Sequence, residues 1–280
     1  MTFTAYNGFV RDLGRGGIQY AAEHSRALGF SAVEFLDFCG TNPPRAKETP
    51  AEEVKRILSE QSLSVDCYSV YADILYKDRD FFEAEIRRQI DYAATLGSKN
   101  FHHTIIPAYV IKEGMPSFDE VFDEVLARTG KIAEYCAFRG INCLYEPQGG
   151  YFNGVEGLSR LLEALAEKNS NVGLCADLGN SVFVDCDPVD IMRALGQYAK
   201  QIHIKDYIIS DTSLGLKGEN RSRDGKYLYD AFPGKGNIDL AECLRILKSQ
   251  GYDGGISLEY IGEDADIVDS MEYIKTLWNQ

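Results

Sequence analysis

Residues 172–206 read VGLCADLGNSVFVDCDPVDIMRALGQYAKQIHIKD, and this stretch contains a strand–helix–strand unit. Val172–Asp177 and Gln201–Asp206 are brief strand candidates, and the first is largely apolar on both faces, which is typical of strands buried on both sides of a parallel sheet. Pro188–Leu195, between them, has the apolar spacing of a helix. Two strands that flank a helix indicate a parallel α/β fold.

The same alternation runs through the whole chain. Eight strand-like and eight helix-like segments, with no change of composition between them, predict one domain over residues 1–280, a single closed (β/α)₈ TIM barrel. An open, doubly wound sheet is the alternative, but the count of eight favours closure. The other strand candidates are Thr2–Tyr6, Ala32–Leu36, Leu63–Val70, Asn100–Ile105, Ile141–Glu146 and Gly255–Tyr260. The other helix candidates are Gly16–Leu28, Pro50–Gln61, Phe81–Leu96, Ser117–Phe138, Val155–Lys168, Leu240–Gln250 and Asp264–Trp278.

Composition limits the classes of partner. The formal net charge of −14 over 280 residues argues against binding to nucleic acid or to an anionic membrane, because both require a basic face. A local basic pocket for a phosphate is still compatible with this charge. The seven cysteines form no CxxC pair, and no segment has the length and apolar character of a membrane span. We therefore expect a cytoplasmic protein with reduced thiols.

One connection is longer than the others. The segment 207–237 follows the seventh strand candidate and has weak periodicity. Loops of this length are usually functional or disordered, and barrel enzymes carry their active sites on the face to which this loop belongs. We predict that the segment forms a lid.

Four consecutive strand candidates end in a side chain that can bind a metal, namely Glu146, Asp177, His203 and Glu259. The C-terminal ends of adjacent parallel strands converge, and carboxylates so close together require a cation or protons. Three carboxylates and an imidazole suit one divalent ion, with Mn²⁺ expected and Mg²⁺, Co²⁺ or Zn²⁺ as alternatives. A single strand-end carboxylate is often only a rim residue or a cap, and Asp177 could cap the turn at residues 178–180.

Five short sequence motifs stand out, namely Tyr145-Glu146-Pro147, Asp177-Leu178-Gly179-Asn180, His203-Ile204-Lys205-Asp206, Gly234-Lys235-Gly236-Asn237-Ile238-Asp239 and Leu258-Glu259-Tyr260. With these motifs the chain resembles the xylose isomerase-like sugar isomerase/epimerase superfamily. This resemblance implies a TIM barrel, a small carbohydrate substrate and metal binding by the four side chains named above. The superfamily includes ketose 3-epimerases, sugar-phosphate epimerases, inosose dehydratases and AP endonucleases.

The chain also departs from two branches of that superfamily. Free-sugar ketose 3-epimerases have a glutamate, a histidine and an arginine where this chain has Phe152, Asn180 and Ile209, so a free ketohexose substrate is in doubt. The AP endonucleases use additional histidines for a multi-zinc site, whereas this chain has four histidines in all. Together with the negative charge, this argues against DNA repair.

The metal site implies proton transfer. A cation stabilises the charge of an ene-diolate, and similarity to the epimerases assigns the acid/base pair to Glu146 and Glu259. Epimerisation, aldose–ketose isomerisation and dehydration start from the same intermediate, so three outcomes stay open. The expected function is isomerisation or epimerisation of a small sugar or sugar phosphate. The alternatives are an inosose dehydratase-like lyase and a carbohydrate-binding barrel without turnover. Barrels of this type commonly associate, so a homo-oligomer is also expected.

Further polar residues at the same face are candidates for substrate contact. Glu34 ends the second strand candidate, where it could accept a substrate hydroxyl or form a rim ion pair. His102 and His103 are adjacent, so strand alternation turns one of them inward and the other outward. We assign the inward position and the substrate contact to His103.

The remaining substrate-binding candidates surround the seventh strand. Asn180 occupies the position of the epimerase histidine. Lys205 lies two residues after His203, which keeps it on the lumen side, where it could contact substrate or pair with a rim group. Asp206 lies just beyond the strand end and could support a ligand. Lys235, in the glycine-rich phrase, could reach a phosphate or a carboxylate.

Overall fold

The computed structural model describes residues 2–39 and 49–280. Eight parallel strands close into a barrel in the order β1–β2–β3–β4–β5–β6–β7–β11, which confirms the predicted (β/α)₈ fold. The barrel strands are β1 (Thr2–Ala5), β2 (Ala32–Phe38), β3 (Ser64–Tyr71), β4 (Asn100–His103), β5 (Asn142–Tyr145), β6 (Val172–Asp177), β7 (Ala199–Ile204) and β11 (Gly255–Leu258).

The barrel is surrounded by eight α-helices in the described part of the chain. Each helix packs its apolar face against the strands, as the helical periodicity of the sequence predicted. They are α1 (Asn7–Ala27), α2 (Ala51–Glu60), α3 (Arg79–Leu96), α4 (Phe118–Phe138), α5 (Val155–Ala166), α6 (Pro188–Leu195), α7 (Leu240–Ser249) and α8 (Asp264–Asn279). None of the helices in these ranges combines the length and apolar character needed to cross a bilayer.

Outward-facing side chains of the strands fill the layer between barrel and helices. Tyr68 and Phe101 are fully buried and stack with their planes 6° apart and their centroids 6.2 Å apart. Tyr145 lies in the same layer, because its hydroxyl donates to the carbonyl of Thr129 in α4 at 3.1 Å. Since side chains alternate along a strand, the residues directly before and after each of these aromatic residues in its own strand point into the lumen.

The first helix begins earlier than predicted. It starts at Asn7 rather than at the Gly16-Gly17 pair, and it is interrupted at Gly17, which has a φ of +76°. A left-handed backbone of this kind suits glycine, which has no Cβ. The glycine pair therefore marks a break within α1 and not its beginning.

The segment predicted to form a lid has regular structure of its own. It contains β8 (Asp206–Ser210), β9 (Asn220–Arg221) and β10 (Tyr227–Ala231), which form an antiparallel sheet in the order β8–β10–β9. The turn after β9 is attached to the barrel, because Ser222 Oγ donates to Asp185 Oδ1 at 2.8 Å. The weak periodicity of the sequence reflects short strands and turns, and lid movement stays a prediction.

Candidate active site

The structure brings the four strand-end candidates together at the C-terminal face of the barrel. His203 occupies the centre, and its Nδ1 lies 3.5 Å from Glu146 Oε2, 4.0 Å from Asp177 Oδ2 and 3.3 Å from Glu259 Oε2. Asp177 and His203 lie in β6 and β7, whereas Glu146 and Glu259 directly follow β5 and β11, and these four strands are hydrogen-bonded neighbours in the order β5, β6, β7, β11. Closure of the barrel therefore places distant parts of the chain around one point.

Two potential ligand atoms at this point have no hydrogen-bond partner in the described chain. His203 Nδ1 and Asp177 Oδ2 are buried and make no hydrogen bond within the described residues. The other oxygen, Asp177 Oδ1, accepts from the backbone N–H groups of Gly179 at 2.8 Å and Asn180 at 2.6 Å. Asp177 thus caps the turn with one oxygen and directs the other into the cluster. Buried polar atoms are rarely left unpaired, so the pair indicates a missing ligand.

The donor set fits a divalent cation. Asp177, His203 and Glu259 each offer one ligand atom, and these atoms lie within 4.8 Å of one another. Burial disfavours a charged imidazole, but Cys175 and then Glu34 outweigh it and raise the pKa of His203 well above its usual value. The acidic pocket therefore stabilises positive charge at its centre. Carboxylate and imidazole ligands together suit a hard or borderline divalent ion.

The two carboxylates expected to move protons have opposite electrostatic environments. Burial, reinforced by Asp177 and Glu259, raises the pKa of Glu146 to about 7 even though the neighbouring His203 lowers it. Burial acts in the same direction on Glu259, but Lys205 outweighs it and holds the pKa of Glu259 well below its usual value. Lys205 Nζ lies 2.6 Å from Glu259 Oε1. At neutral pH without a metal, Glu259 is therefore ionised, whereas Glu146 carries a proton much of the time.

Lys205 is held in place by three groups around the cluster. Its Nζ is 3.7 Å from Asp177 Oδ2 and donates to Asn180 Oδ1 at 3.1 Å, in addition to the contact with Glu259. Strand alternation keeps Lys205 on the lumen side, as the sequence suggested. Asn180 orients this ammonium group, and both residues border the cluster.

Glu34 lies beneath the cluster rather than at its edge. It is fully buried and accepts hydrogen bonds from His203 Nε2 at 3.0 Å and from the hydroxyls of Ser69 and Ser257. Its oxygens are therefore occupied by the protein, and the expected contact with a substrate hydroxyl is wrong. A strand bulge between Val33 and Glu34 places the side chain at this depth.

The two adjacent histidines are oriented opposite to the prediction. His102 points into the lumen, where its Nε2 lies 3.6 Å from Glu146 Oε1 and its Nδ1 lies 2.9 Å from Ser69 Oγ. His103 points outward, and its ring contacts Tyr145 with a centroid distance of 5.1 Å. The assignment of a substrate contact to His103 is wrong because strand alternation places it in the helix-facing layer. Burial, with His203 and His103 nearby, lowers the pKa of His102 well below its usual value, so the inward imidazole is neutral.

Asp206 contacts the glycine-rich turn that contains Lys235. Asp206 Oδ2 accepts from the backbone N–H groups of Gly234 and Gly236, both at 2.9 Å, and its Oδ1 accepts from those of Tyr207 and Ile238. Its carboxylate thus organises the glycine-rich turn, and because Asp206 also lines the cavity described below, its supporting or substrate-binding role stays a prediction. Lys235 is exposed on that same turn.

A cavity of about 270 Å³ opens beside Glu259 and Lys205. Its wall contains Tyr109 and Phe183, whose rings stack at 4.3 Å, and Tyr207 lies edge-on to Phe183. The β8–β10–β9 sheet also lines this space, as its residues Asn220, Asp230 and Ala231 show. The cavity is large enough for a small polyhydroxylated molecule.

Tyr6 is a site residue that the sequence analysis missed. Its ring centroid lies 5.0 Å from that of His203. Burial, reinforced by Glu34 and Glu259, raises the pKa of Tyr6 well above its usual value, so its hydroxyl keeps its proton. The available signal was position, because Tyr6 directly follows the first strand on the face where the ligand side chains lie.

Comparison with known proteins is consistent with this geometry. A family model described as xylose isomerase-like TIM barrel matches residues 22–277. An inosose dehydratase of Clostridium botulinum (strain Eklund 17B / Type B) is 24% identical over 278 residues, which cover 95% of this chain and 90% of that protein.

Solved structures share the same fold. L-ribulose 3-epimerase superposes with a TM-score of 0.76 at 16% identity, covering 100% of this chain and 95% of that one. A xylose isomerase-like TIM barrel protein from Mycobacterium smegmatis, in complex with magnesium, has a TM-score of 0.75 at 18% identity and covers 99% and 97% of the two chains. At these identities the likeness is one of fold.

Proposed function

The chain belongs to the xylose isomerase-like TIM barrel family, and on that premise we propose that it is a metal-dependent isomerase or epimerase of a small sugar or sugar phosphate. One observation carries the proposal. His203 Nδ1 and Asp177 Oδ2, both buried and without a hydrogen-bond partner in the described chain, lie beside two carboxylates whose pKa values are shifted in opposite directions.

Glu146, Asp177, His203 and Glu259 would hold the ion. Three carboxylates and one imidazole suit Mn²⁺, and Mg²⁺, Co²⁺ and Zn²⁺ are alternatives with the same charge. The similar Mycobacterium smegmatis protein was solved with magnesium. When bound, the ion supplies positive charge that stabilises the oxyanion developing on a substrate carbonyl.

The carboxylates divide the proton transfer between them. Glu259 is ionised beside Lys205, so it removes the proton from the carbon next to the carbonyl. Glu146, whose pKa is raised to about 7 in the protein without a metal, is the carboxylate better able to carry a proton, and we assign to it the return of a proton to the ene-diolate. Return to the same carbon on the opposite face gives the epimer, whereas return to the neighbouring carbon gives the aldose or ketose isomer. Acid and base roles commonly follow such a split in pKa.

The residues around the pair orient the substrate. Lys205, fixed by Asn180, keeps Glu259 ionised and offers N–H donors at the cavity floor. Tyr109 and Phe183 provide an apolar wall against which the C–H face of a sugar can pack while water is excluded. Such walls with a few convergent polar groups are typical of small-molecule sites.

Dehydration is a second candidate function. It is favoured by the inosose dehydratase from Clostridium botulinum, which this chain matches over nearly its full length. The first step would be the same removal of a proton by Glu259. A protonated Glu146 would then give its proton to a departing β-hydroxyl, and water would leave.

The proposal can be tested by metal analysis followed by exchange in D₂O. The metal-loaded protein is incubated with ketoses, ketose phosphates and inososes, and deuterium at carbon is read by mass spectrometry. We expect exchange with an epimer or isomer as product, whereas an unsaturated product would identify the dehydratase. Glu259→Gln and Glu146→Gln should each abolish turnover, while Glu167→Gln, an exposed control, should not. Exchange that survives in both site variants would refute the assigned roles.

A further inference from the structure

The hydrogen bonds beneath the proposed metal site converge on Glu34. Its two oxygens receive His203 Nε2 at 3.0 and 3.2 Å, together with the hydroxyls of Ser69 and Ser257. Ser257 also accepts from Gln201 Nε2 at 2.8 Å, which leaves its own hydrogen for Glu34. Glu34 is fully buried and acts only as an acceptor in this network.

The direction of these bonds determines which nitrogen of each histidine carries hydrogen. His203 donates from Nε2 to Glu34, so its other nitrogen, Nδ1, faces the cluster and does not take part in this hydrogen bond. Ser69 has a single hydrogen, which it gives to Glu34, so its oxygen accepts from Nδ1–H of His102. The remaining atoms, His102 Nε2 and His203 Nδ1, are both buried and have no hydrogen-bond partner in the part of the chain described.

Both of these atoms face the same carboxylate. His102 Nε2 lies 3.6 Å from Glu146 Oε1, and His203 Nδ1 lies 3.5 Å from Glu146 Oε2. With a metal bound in place of the Nδ1 proton of His203, the buried carboxylate of Glu34 is therefore linked through the two imidazole rings to a lone pair on His203 Nδ1 and a lone pair on His102 Nε2. Hydrogen bonds of this kind fix the tautomer and the orientation of a metal-binding histidine.

We propose that Glu34 is a positioning residue that sets the tautomers of both histidines, so that His203 presents Nδ1 to the metal and His102 presents Nε2 as a hydrogen-bond acceptor beside Glu146. The inference rests on the metal site of the proposed function. It adds His102 to that site, and it gives Glu34 the role of orienting the two histidines without contacting the substrate.

Metal affinity tests the role of Glu34. Glu34→Gln keeps the shape of the side chain but puts an N–H₂ group against donors, so we expect metal to bind 10- to 100-fold more weakly, on the order typical for such partners. Asp37→Asn is the matched control, because Asp37 is a buried carboxylate on the same strand that accepts from Tyr68 on the outward face. Affinity would be measured by competition with a chelator, with circular dichroism to verify folding.

The tautomers can be read directly in the wild-type protein loaded with Zn²⁺, which needs no variant to fold. Long-range ¹H–¹⁵N spectra of its four histidines should show hydrogen on Nε2 of His203 and on Nδ1 of His102. Ser69→Ala should disturb the His102 signals and leave those of His203 unchanged. Hydrogen on the opposite nitrogen of either ring would overturn the proposal.

The outcomes separate this inference from the proposed function. Wild-type protein that binds no divalent ion would refute the metal-dependent function itself. Wild-type protein that binds metal, with Glu34→Gln binding it as tightly, would refute only the positioning role. Metal binding that is weakened in Glu34→Gln and retained in Asp37→Asn would support the inference even if no sugar were turned over.

Discussion

Asp206→Asn should loosen the segment that covers the cavity. The two oxygens of Asp206 accept four backbone N–H groups, from Tyr207, Gly234, Gly236 and Ile238, at 2.8 to 3.2 Å. An asparagine keeps the acceptor Oδ1 but turns an N–H₂ group towards the amides of Gly234 and Gly236. Two hydrogen bonds to a charged group are lost, at roughly 1.5–3 kcal/mol each, or about 3–6 kcal/mol together.

The effect should appear locally before it appears globally. The measurable decrease in the free energy of unfolding cannot exceed the free energy needed to open the segment 207–237 alone. Segments of a protein can unfold locally at a lower free energy than the whole molecule. We therefore expect faster cleavage within this segment under limited proteolysis, together with a lower urea midpoint. Loss of the ordered sheet should also reduce turnover, since β8 and β10 line the cavity.

Asp230→Asn is the appropriate control for stability. Asp230 belongs to the same sheet but is exposed, so its substitution should leave the free energy of unfolding within about 0.5 kcal/mol of the wild-type value. If Asp206→Asn changed the unfolding free energy by less than about 1 kcal/mol and left the segment equally resistant to protease, its carboxylate could not be what organises the glycine-rich turn.

Three further predictions concern stability, geometry and metal. His24 donates to Asp12 at 2.6 Å, and its raised pKa means that its charge stabilises the fold fully below its unfolded pKa of about 6.5 and ceases to do so as pH rises through the folded value. Denaturation of His24→Gln should therefore show a deficit at pH 6 that shrinks by pH 9. Gly179→Ala would place a Cβ 2.8 Å from Lys205 Cγ, so steady-state kinetics should show a lower kcat with modest loss of stability. Metal at 100 times its Kd should stabilise the wild-type protein by about 2.7 kcal/mol in thermal unfolding, and chelator or Asp177→Asn should remove that gain.

Most of the architecture could be predicted from local patterns in the amino-acid sequence. The barrel strands are short, and the sixth strand and sixth helix coincide with Val172–Asp177 and Pro188–Leu195 as predicted. The convergence of the strand-end side chains also followed from pattern, because adjacent parallel strands end at one face. Such inferences need only periodicity and the topology of the barrel.

Side-chain orientation was less accessible. His102 and His103 differ by one position, and which of them faces the lumen depends on the phase of β4, which pairs Ser69 with His102 and Val70 with His103. Bulges shift the register between β2 and β3 at Val33/Glu34, and between β6 and β7 at Leu174/Cys175. A shift by one residue exchanges inward and outward side chains, so the phase cannot be read from one strand alone.

The amino-acid order alone established a barrel with acidic groups at the ends of neighbouring strands, since periodicity and strand-end chemistry are properties of short segments. Three-dimensional packing was required to show that Glu34 supports His203 from below, that His102 faces Glu146, and that Asp206 holds the turn at Gly234 and Gly236. Each of these contacts joins residues far apart in the chain, and its geometry depends on register, depth in the lumen and hydrogen-bond direction.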